Sequence, residues 1–188
     1  LLKQADVAMY TAKKNTLSAF IYYTKEMNER AIERLALENR VKSAYEEEVF
    51  ENYYQPIVNL TTGKTEGVEL LLRCHFNNEW ISPAAFIPVL EELRHIIELT
   101  RKATDTAIND LQQWYAEGYT GYVSINLSAL HFKTHFDLDY IEERLTEAGL
   151  PRTALRFEIT EGVLIDKSDE VLLELKRIRD AGFKLALD

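Results

Sequence analysis

Glu69 and Arg73 stand four residues apart inside TEGVELLLRC (65–74), a run whose Val68, Leu70, Leu71 and Leu72 are what a sheet interior favours. A charge placed there without a partner is costly or is neutralised, so each of the two needs a group of opposite sign. Strand side chains alternate between faces, which puts Glu69, Leu71 and Arg73 on one side. The same alternation gives Ser124, Asn126 and Ser128 one face of VSINLS, and Arg156, Glu158 and Thr160 one face of LRFEIT, while FKLALD closes on Asp188. Successive strands thus each offer an oxygen ligand. Glu69, Asn126, Glu158 and Asp188 supply three carboxylates and one amide oxygen, a hard donor set that suits Mg²⁺ or Mn²⁺ rather than zinc. A divalent ion would offset the repulsion among the carboxylates, polarise a phosphoryl oxygen and lower the pKa of a bound water. The alternative is that each residue is a separate strand end, hydrogen-bonded to neighbouring backbone.

These residues need elements to position them. After residue 52 the chain alternates short strands with helices, as an α/β domain with a largely parallel sheet requires. YYQPIVN (53–59) and TEGVELLLRC flank a TTGK turn and read as an antiparallel pair. Ser82-Pro83 opens helical sequence whose stripe of Leu99, Ala103, Ala107, Leu111 and Trp114 runs to a stop at Gly118. GYVSINLS (121–128) is a strand. Asp139 with Glu142 reads as a capping box for a helix ending at Gly149, ALRFEIT (154–160) as the next strand, and Ser168 as the cap of a helix that stops at Gly182. In a closed parallel barrel such strands converge at their carboxyl ends, where function gathers.

Upstream, residues 1 to about 14 read as a helix and AFIYY (19–23) as a short strand, a unit too small to bury its own apolar face. A connecting helix is expected from Asn28 to Phe50, with Ile32, Leu35, Val41, Ala44 and Phe50 on one stripe. The domain organisation is then 1–25, an end of one domain; 26–50, a connecting helix; and 51–188, the α/β domain.

Composition excludes several classes. With 46% hydrophobic and 11% aromatic residues, a chain of 188 residues can build a real core. The formal net charge of -9 argues against duplex nucleic acid as a partner, while leaving room for a small phosphate ligand bridged by a metal ion. No apolar run is long enough to span a bilayer, and the lone Cys74 forms no internal disulfide, so the cytoplasm is the expected location. Cys74 reads as buried, Trp114 as core, and Glu46 to Glu48 as a solvated helix face. His131 and His135 lack the Glu of a zinc-protease motif and read as surface or loop residues.

Five ordered blocks, YYQPIVNLTTGKTEGVELLLR, ISPAAFIPVLEE, YVSINLSALHF, LRFEITEGVLI and GFKLALD, resemble those of the EAL domain, a bacterial phosphodiesterase module that hydrolyses cyclic di-GMP. LLKQADVAMYTAKKN followed by AFIYY resembles the last helix and strand of a GGDEF domain, the cyclase module often placed before an EAL domain. The resemblance implies a partial (β/α)8 TIM-like barrel whose first strand pair is antiparallel. It also implies roles: Glu69, Asn126, Glu158 and Asp188 as ligands of the catalytic metal ions, Gln55 and Arg73 as contacts to cyclic di-GMP, and metal-assisted attack of water on one phosphodiester to give linear pGpG.

Two departures stand out. The signature reads Glu69-Leu70-Leu71, with Leu70 where the family usually has Ala; since Leu70 points away from the ligand face, a packing adjustment is expected. Family members also continue beyond the position of Asp188 with further ligands. The chain is therefore expected to be inactive alone, and to be either a fragment of a longer protein or a chain whose sheet edge is covered by a second copy in a homodimer. The function expected of the parent protein is cyclic di-GMP hydrolysis; the alternative is an EAL module that binds cyclic di-GMP or a protein partner without turnover.

Overall fold

The computed structural model describes residues 24–134, 136–160, 162–163 and 168–187. The expected N-terminal helix and strand, His135 and Asp188 lie outside the described residues. The chain divides into two units, Leu1–Glu47 and Glu48–Asp188.

In the first unit, helix α1 spans Lys25–Glu46 and is capped by Thr24, whose hydroxyl accepts from the Met27 amide at 3.3 Å. Ile32 and Leu35, two positions of the expected stripe, are exposed. The helix stops four residues before Phe50, because Glu48 takes a left-handed φ of 55° that a helix cannot contain. Glu46, Glu47 and Glu48 are all exposed, but only the first is helical.

The second unit opens with β1 (Phe50–Val58) and β2 (Thr65–Phe76), paired antiparallel with Gln55 opposite Glu69. Their turn is built by Asn59, whose Oδ1 accepts from the amides of Thr61 and Thr62 at 2.9 Å each, and by Gly63 at φ 69°. A further hairpin strand, β3 (Glu79–Ile81), was not anticipated. Asn77 and Asn78 both have positive φ, the requirement of a two-residue hairpin turn, so the Asn-Asn pair was its signal.

The helical stretch expected as one piece is two. Helix α2 (Pro83–Glu92) starts behind Ser82 with Pro at its first position, and α3 covers Ile96–Ala116. Arg94, at φ 60°, makes the break between them. Then come β4 (Tyr122–Leu127), the short α4 (Ala129–Lys133), α5 (Leu138–Glu147), a 3₁₀ turn at Arg152–Ala154, β5 (Leu155–Ile159), α6 (Asp169–Asp180) and β6 (Lys184–Leu187). The capping box does not form. Asp137 is the cap residue of α5, and Asp139, two residues further in, pairs with Arg177 at 2.8 Å instead.

The sheet order is β1-β2-β4-β5-β6, with β3 on the free part of β2; β2, β4, β5 and β6 are parallel. One sheet face is closed by helices. Leu70, Val123, Ile125, Leu127, Leu155, Phe157 and Ile159 project from it into a single core with Ala107 and Leu111 of α3, Leu145 of α5 and Ile178 of α6. Phe157 is fully buried, with Phe136 and Phe183 rings 5.2 and 5.4 Å from its own. Trp114 is only partly buried and meets Tyr54 edge-on at 4.9 Å. Cys74 is buried, as expected. Among the described residues the barrel does not close: β1 and β6 are its two edges, and Leu187 on β6 is 55% exposed.

Candidate functional site

Burying the odd-numbered residues of β4 and β5 against the helices leaves the even-numbered ones on the opposite face. Parallel register sets Glu69 beside Ser124, and Asn126 beside Glu158. Gln55 faces the same way, because it is directly opposite Glu69 across the hairpin, and its side chain is exposed. Of the residues expected to act together, Gln55, Glu69, Arg73, Asn126 and Glu158 therefore share one face. Asp188 lies outside the described residues. Leu70 does point away: it is 5% exposed and belongs to the helix-side core.

Contacts between strands hold the carboxylates. Asn126 donates from Nδ2 to Glu69 Oε1 at 2.8 Å. Spending its NH₂ on Glu69 turns the amide so that Oδ1 is left to accept or to ligate. Ser124, fully buried, donates from Oγ to Glu158 Oε1 at 2.5 Å. Each carboxylate is thus tied at one oxygen and keeps the other. Sequence reasoning placed Ser124 on this face but gave it no role, although its alternation with Asn126 was the available signal.

Two arginines of this face are held away from the carboxylates. Arg156 donates from Nη1 to the Tyr122 hydroxyl at 2.8 Å and stacks over that ring at 3.8 Å, near the start of β4. Arg73 donates from Nη1 to the carbonyl of its neighbour Leu72 at 3.0 Å and lies 5.7 Å from the Tyr53 ring centre. Among the described residues it makes no ion pair, so the charge identified at the outset is not spent on Glu69. A depression of about 240 Å³ beside the strand ends brings Arg73, Asn126 and Thr160 together with Ser128. Ser128 Oγ donates to Glu91 Oε1 at 2.5 Å, tying the end of β4 to α2. Glu91 had no spacing signal in the sequence.

The donor set can be tested for a metal. Among the described residues no group of three or more His, Cys, Asp and Glu side chains is placed to hold an ion. The described part of the set contributes two carboxylates and an amide oxygen, all oxygen, with no Lys or Arg bonded to either carboxylate. That chemistry fits a hard divalent cation sharing its coordination with further oxygens and water. His131, by contrast, is not a surface histidine: it sits on α4 with 3% exposure, on the helix side of the sheet. No helix among the described residues is long and apolar enough to cross a membrane.

Residues 38–188 match the EAL domain family. Over 189 residues the chain is 30% identical to the signaling protein YkoW of Bacillus subtilis, a match that covers 100% of this chain and 24% of that protein. It is also 30% identical over 190 residues to the bifunctional diguanylate cyclase/cyclic di-GMP phosphodiesterase MucR of Pseudomonas aeruginosa, covering 100% of this chain and 28% of that protein. The solved c-di-GMP complex of the PaMucR phosphodiesterase superposes with a TM-score of 0.74 at 27% identity, over 81% of this chain and 63% of that one. The chain spans about a quarter of the length of the curated relatives it matches.

Proposed function

Because the chain belongs to the EAL domain family, we propose that the sheet face carrying Glu69, Asn126 and Glu158 is part of a metal-dependent site that hydrolyses cyclic di-GMP to pGpG. The observation that carries this reading is the Asn126 to Glu69 hydrogen bond, which orients an amide oxygen and a carboxylate toward one region from two adjacent strands. Glu69, Asn126, Glu158 and Asp188 would hold Mg²⁺ or Mn²⁺, and a bound ion of this kind supplies charge to a phosphoryl oxygen and acidity to a coordinated water. Gln55 and Arg73 bind the dinucleotide, the Arg73 guanidinium meeting a phosphate that no carboxylate of the face competes for. Ser124 keeps Glu158 in one orientation, and Ser128 with Glu91 fixes the strand end next to it. The similarity to MucR, a protein named for this activity, supports the substrate.

Residues 1–25 are the end of a GGDEF domain, 26–50 connect, and 51–188 form the first part of the EAL barrel, acting in the cytoplasm. Among the described residues β6 is an edge of the sheet with Leu187 55% exposed, a surface that a second copy can cover, and we further propose that the 188-residue chain by itself does not turn over cyclic di-GMP. The test is pGpG formation by the full-length gene product with Mg²⁺ or Mn²⁺, wild type against Glu69→Gln. Metal-dependent hydrolysis that Glu69→Gln abolishes supports the reading; binding of cyclic di-GMP without hydrolysis by the wild type would replace it with a receptor.

A further inference from the structure

Strand β5 carries two charged side chains of opposite sign, Arg156 and Glu158. Both project from the ligand face, two residues and about 7 Å apart along the strand. An arginine reaches across such a gap, and a guanidinium beside a carboxylate makes a charge-assisted, often bidentate pair. Glu158 has an oxygen to offer, because Ser124 Oγ bonds to Oε1 and not to Oε2. Among the described residues that pair is nevertheless not made. Arg156 turns to the start of β4 instead, where its Nη1 donates to the Tyr122 hydroxyl at 2.8 Å and its guanidinium carbon lies 3.8 Å from the ring centre. A ring face with a hydroxyl at its end accommodates the charge and accepts one of its hydrogens without the help of a carboxylate.

The seat for that ring is on a third strand. Tyr122 is in register with Gly67 of β2, which is buried. A Cβ on Gly67 would sit 2.6 Å from the Cε2 and Cζ carbons of the Tyr122 ring, closer than such atoms can approach. Gly67 is not among the glycines with positive φ, so what its position requires is space rather than an unusual backbone. Gly67, the Tyr122 ring and the Arg156 guanidinium thus form one contiguous group drawn from three adjacent strands.

A cation tethered to the same strand as a carboxylate competes with any ion from solution at a high effective concentration. On the reading of Glu158 as a metal ligand, we propose that Tyr122, seated on Gly67, is a positioning residue that keeps Arg156 off Glu158 and so leaves Glu158 Oε2 to a divalent cation. Arg156 released from the ring takes that oxygen, and the site then holds its own guanidinium in place of the metal.

The test is Mn²⁺ binding to the full-length gene product without nucleotide, followed by electron paramagnetic resonance of the free ion. Glu158→Gln identifies the relevant Mn²⁺ as the one it weakens. Tyr122→Leu is expected to weaken that ion about tenfold, the equivalent of one charge-assisted bond gained by its competitor. Tyr122→Phe keeps the ring and is expected to lose less. Gly67→Ala displaces the ring and is expected to resemble Tyr122→Leu. The distinguishing result is rescue: Arg156→Met, added to Tyr122→Leu or to Gly67→Ala, is expected to restore the affinity of the wild type, which removal of a second side chain does not do for a folding defect. If Glu158→Gln weakens Mn²⁺ while Tyr122→Leu leaves it unchanged, or if Arg156→Met gives no rescue, the role of Tyr122 is overturned and Glu158 remains a ligand. If Glu158→Gln leaves Mn²⁺ binding as it was, the ligand reading falls and the role of Tyr122 falls with it.

Discussion

Asn126 and Glu69, on adjacent parallel strands and 57 positions apart in sequence, are joined by a 2.8 Å hydrogen bond that runs from amide to carboxylate. The bond spends the donor half of the amide and leaves the acceptor half facing outward. It makes the two residues one unit rather than two independent ligands, and that has a measurable signature.

In the full-length gene product, Asn126→Ala and Glu69→Gln are each expected to lower metal-dependent cyclic di-GMP hydrolysis by about 100-fold or more. Residues that act as a unit are not additive, so the double variant should be little worse than the more damaging single one. Steady-state rates for the four proteins check this; fully multiplicative losses would separate the two residues.

Ser124→Ala is expected to act through Glu158. With the 2.5 Å bond removed, the carboxylate loses its fixed orientation, and a supporting hydrogen bond of this type is worth about 10- to 100-fold in metal affinity or activity. The metal concentration giving half-maximal activity should rise while Ser124→Thr recovers most of the loss. A merely structural serine would change thermal stability and leave the metal dependence where it was.

Leu70→Ala restores the residue that EAL sequences usually carry, yet here it should destabilise. Leu70 is 5% exposed within a continuous core, and truncating such a leucine costs about 2 to 5 kcal/mol. Chemical denaturation of the chain reads the loss as a lower midpoint. No change would mean that neighbouring side chains had collapsed into the space.

His131 gives stability a pH dependence of known sign. Its folded pKa, about 4, is below the 6.5 of an unperturbed histidine, so between these values the unfolded chain binds more protons than the folded one. Stability is fully present above pH 6.5 and is lost as pH falls toward 4. The histidine contribution between pH 7 and pH 5 is about 2 kcal/mol, on 1.36 kcal/mol per unit. Urea unfolding of wild type and His131→Gln at the two pH values isolates it from the carboxylates: the difference between the proteins should shrink or reverse at pH 5.

The alternation of β2, β4 and β5 was legible in the sequence because period-two patterning follows from backbone geometry alone, and it sorted Glu69, Asn126 and Glu158 from Leu70, Ile125 and Phe157 correctly. What escaped depended on single backbone torsions or on contacts between distant elements. The break at Arg94 and the end of α1 at Glu48 rest on positive φ values in residues that do not advertise them. The hairpin of β3 had a signal in Asn77-Asn78. Ser128 and Glu91, 37 residues apart, meet only because the residue that follows β4 comes beside α2 in the fold. His131 was misread for a similar reason: a polar residue on a five-residue helix shows no periodicity from which burial could be inferred.

The sheet order has a consequence for how the domain is made. From β2 through β4 and β5 to β6, spatial order repeats chain order, and each new strand adds to the edge left by the one before. The opposite edge, β1, carries Pro56, which has no amide hydrogen to offer another strand. Between β2 and β6, each strand and helix emerging from the ribosome therefore finds the edge it pairs with already laid down.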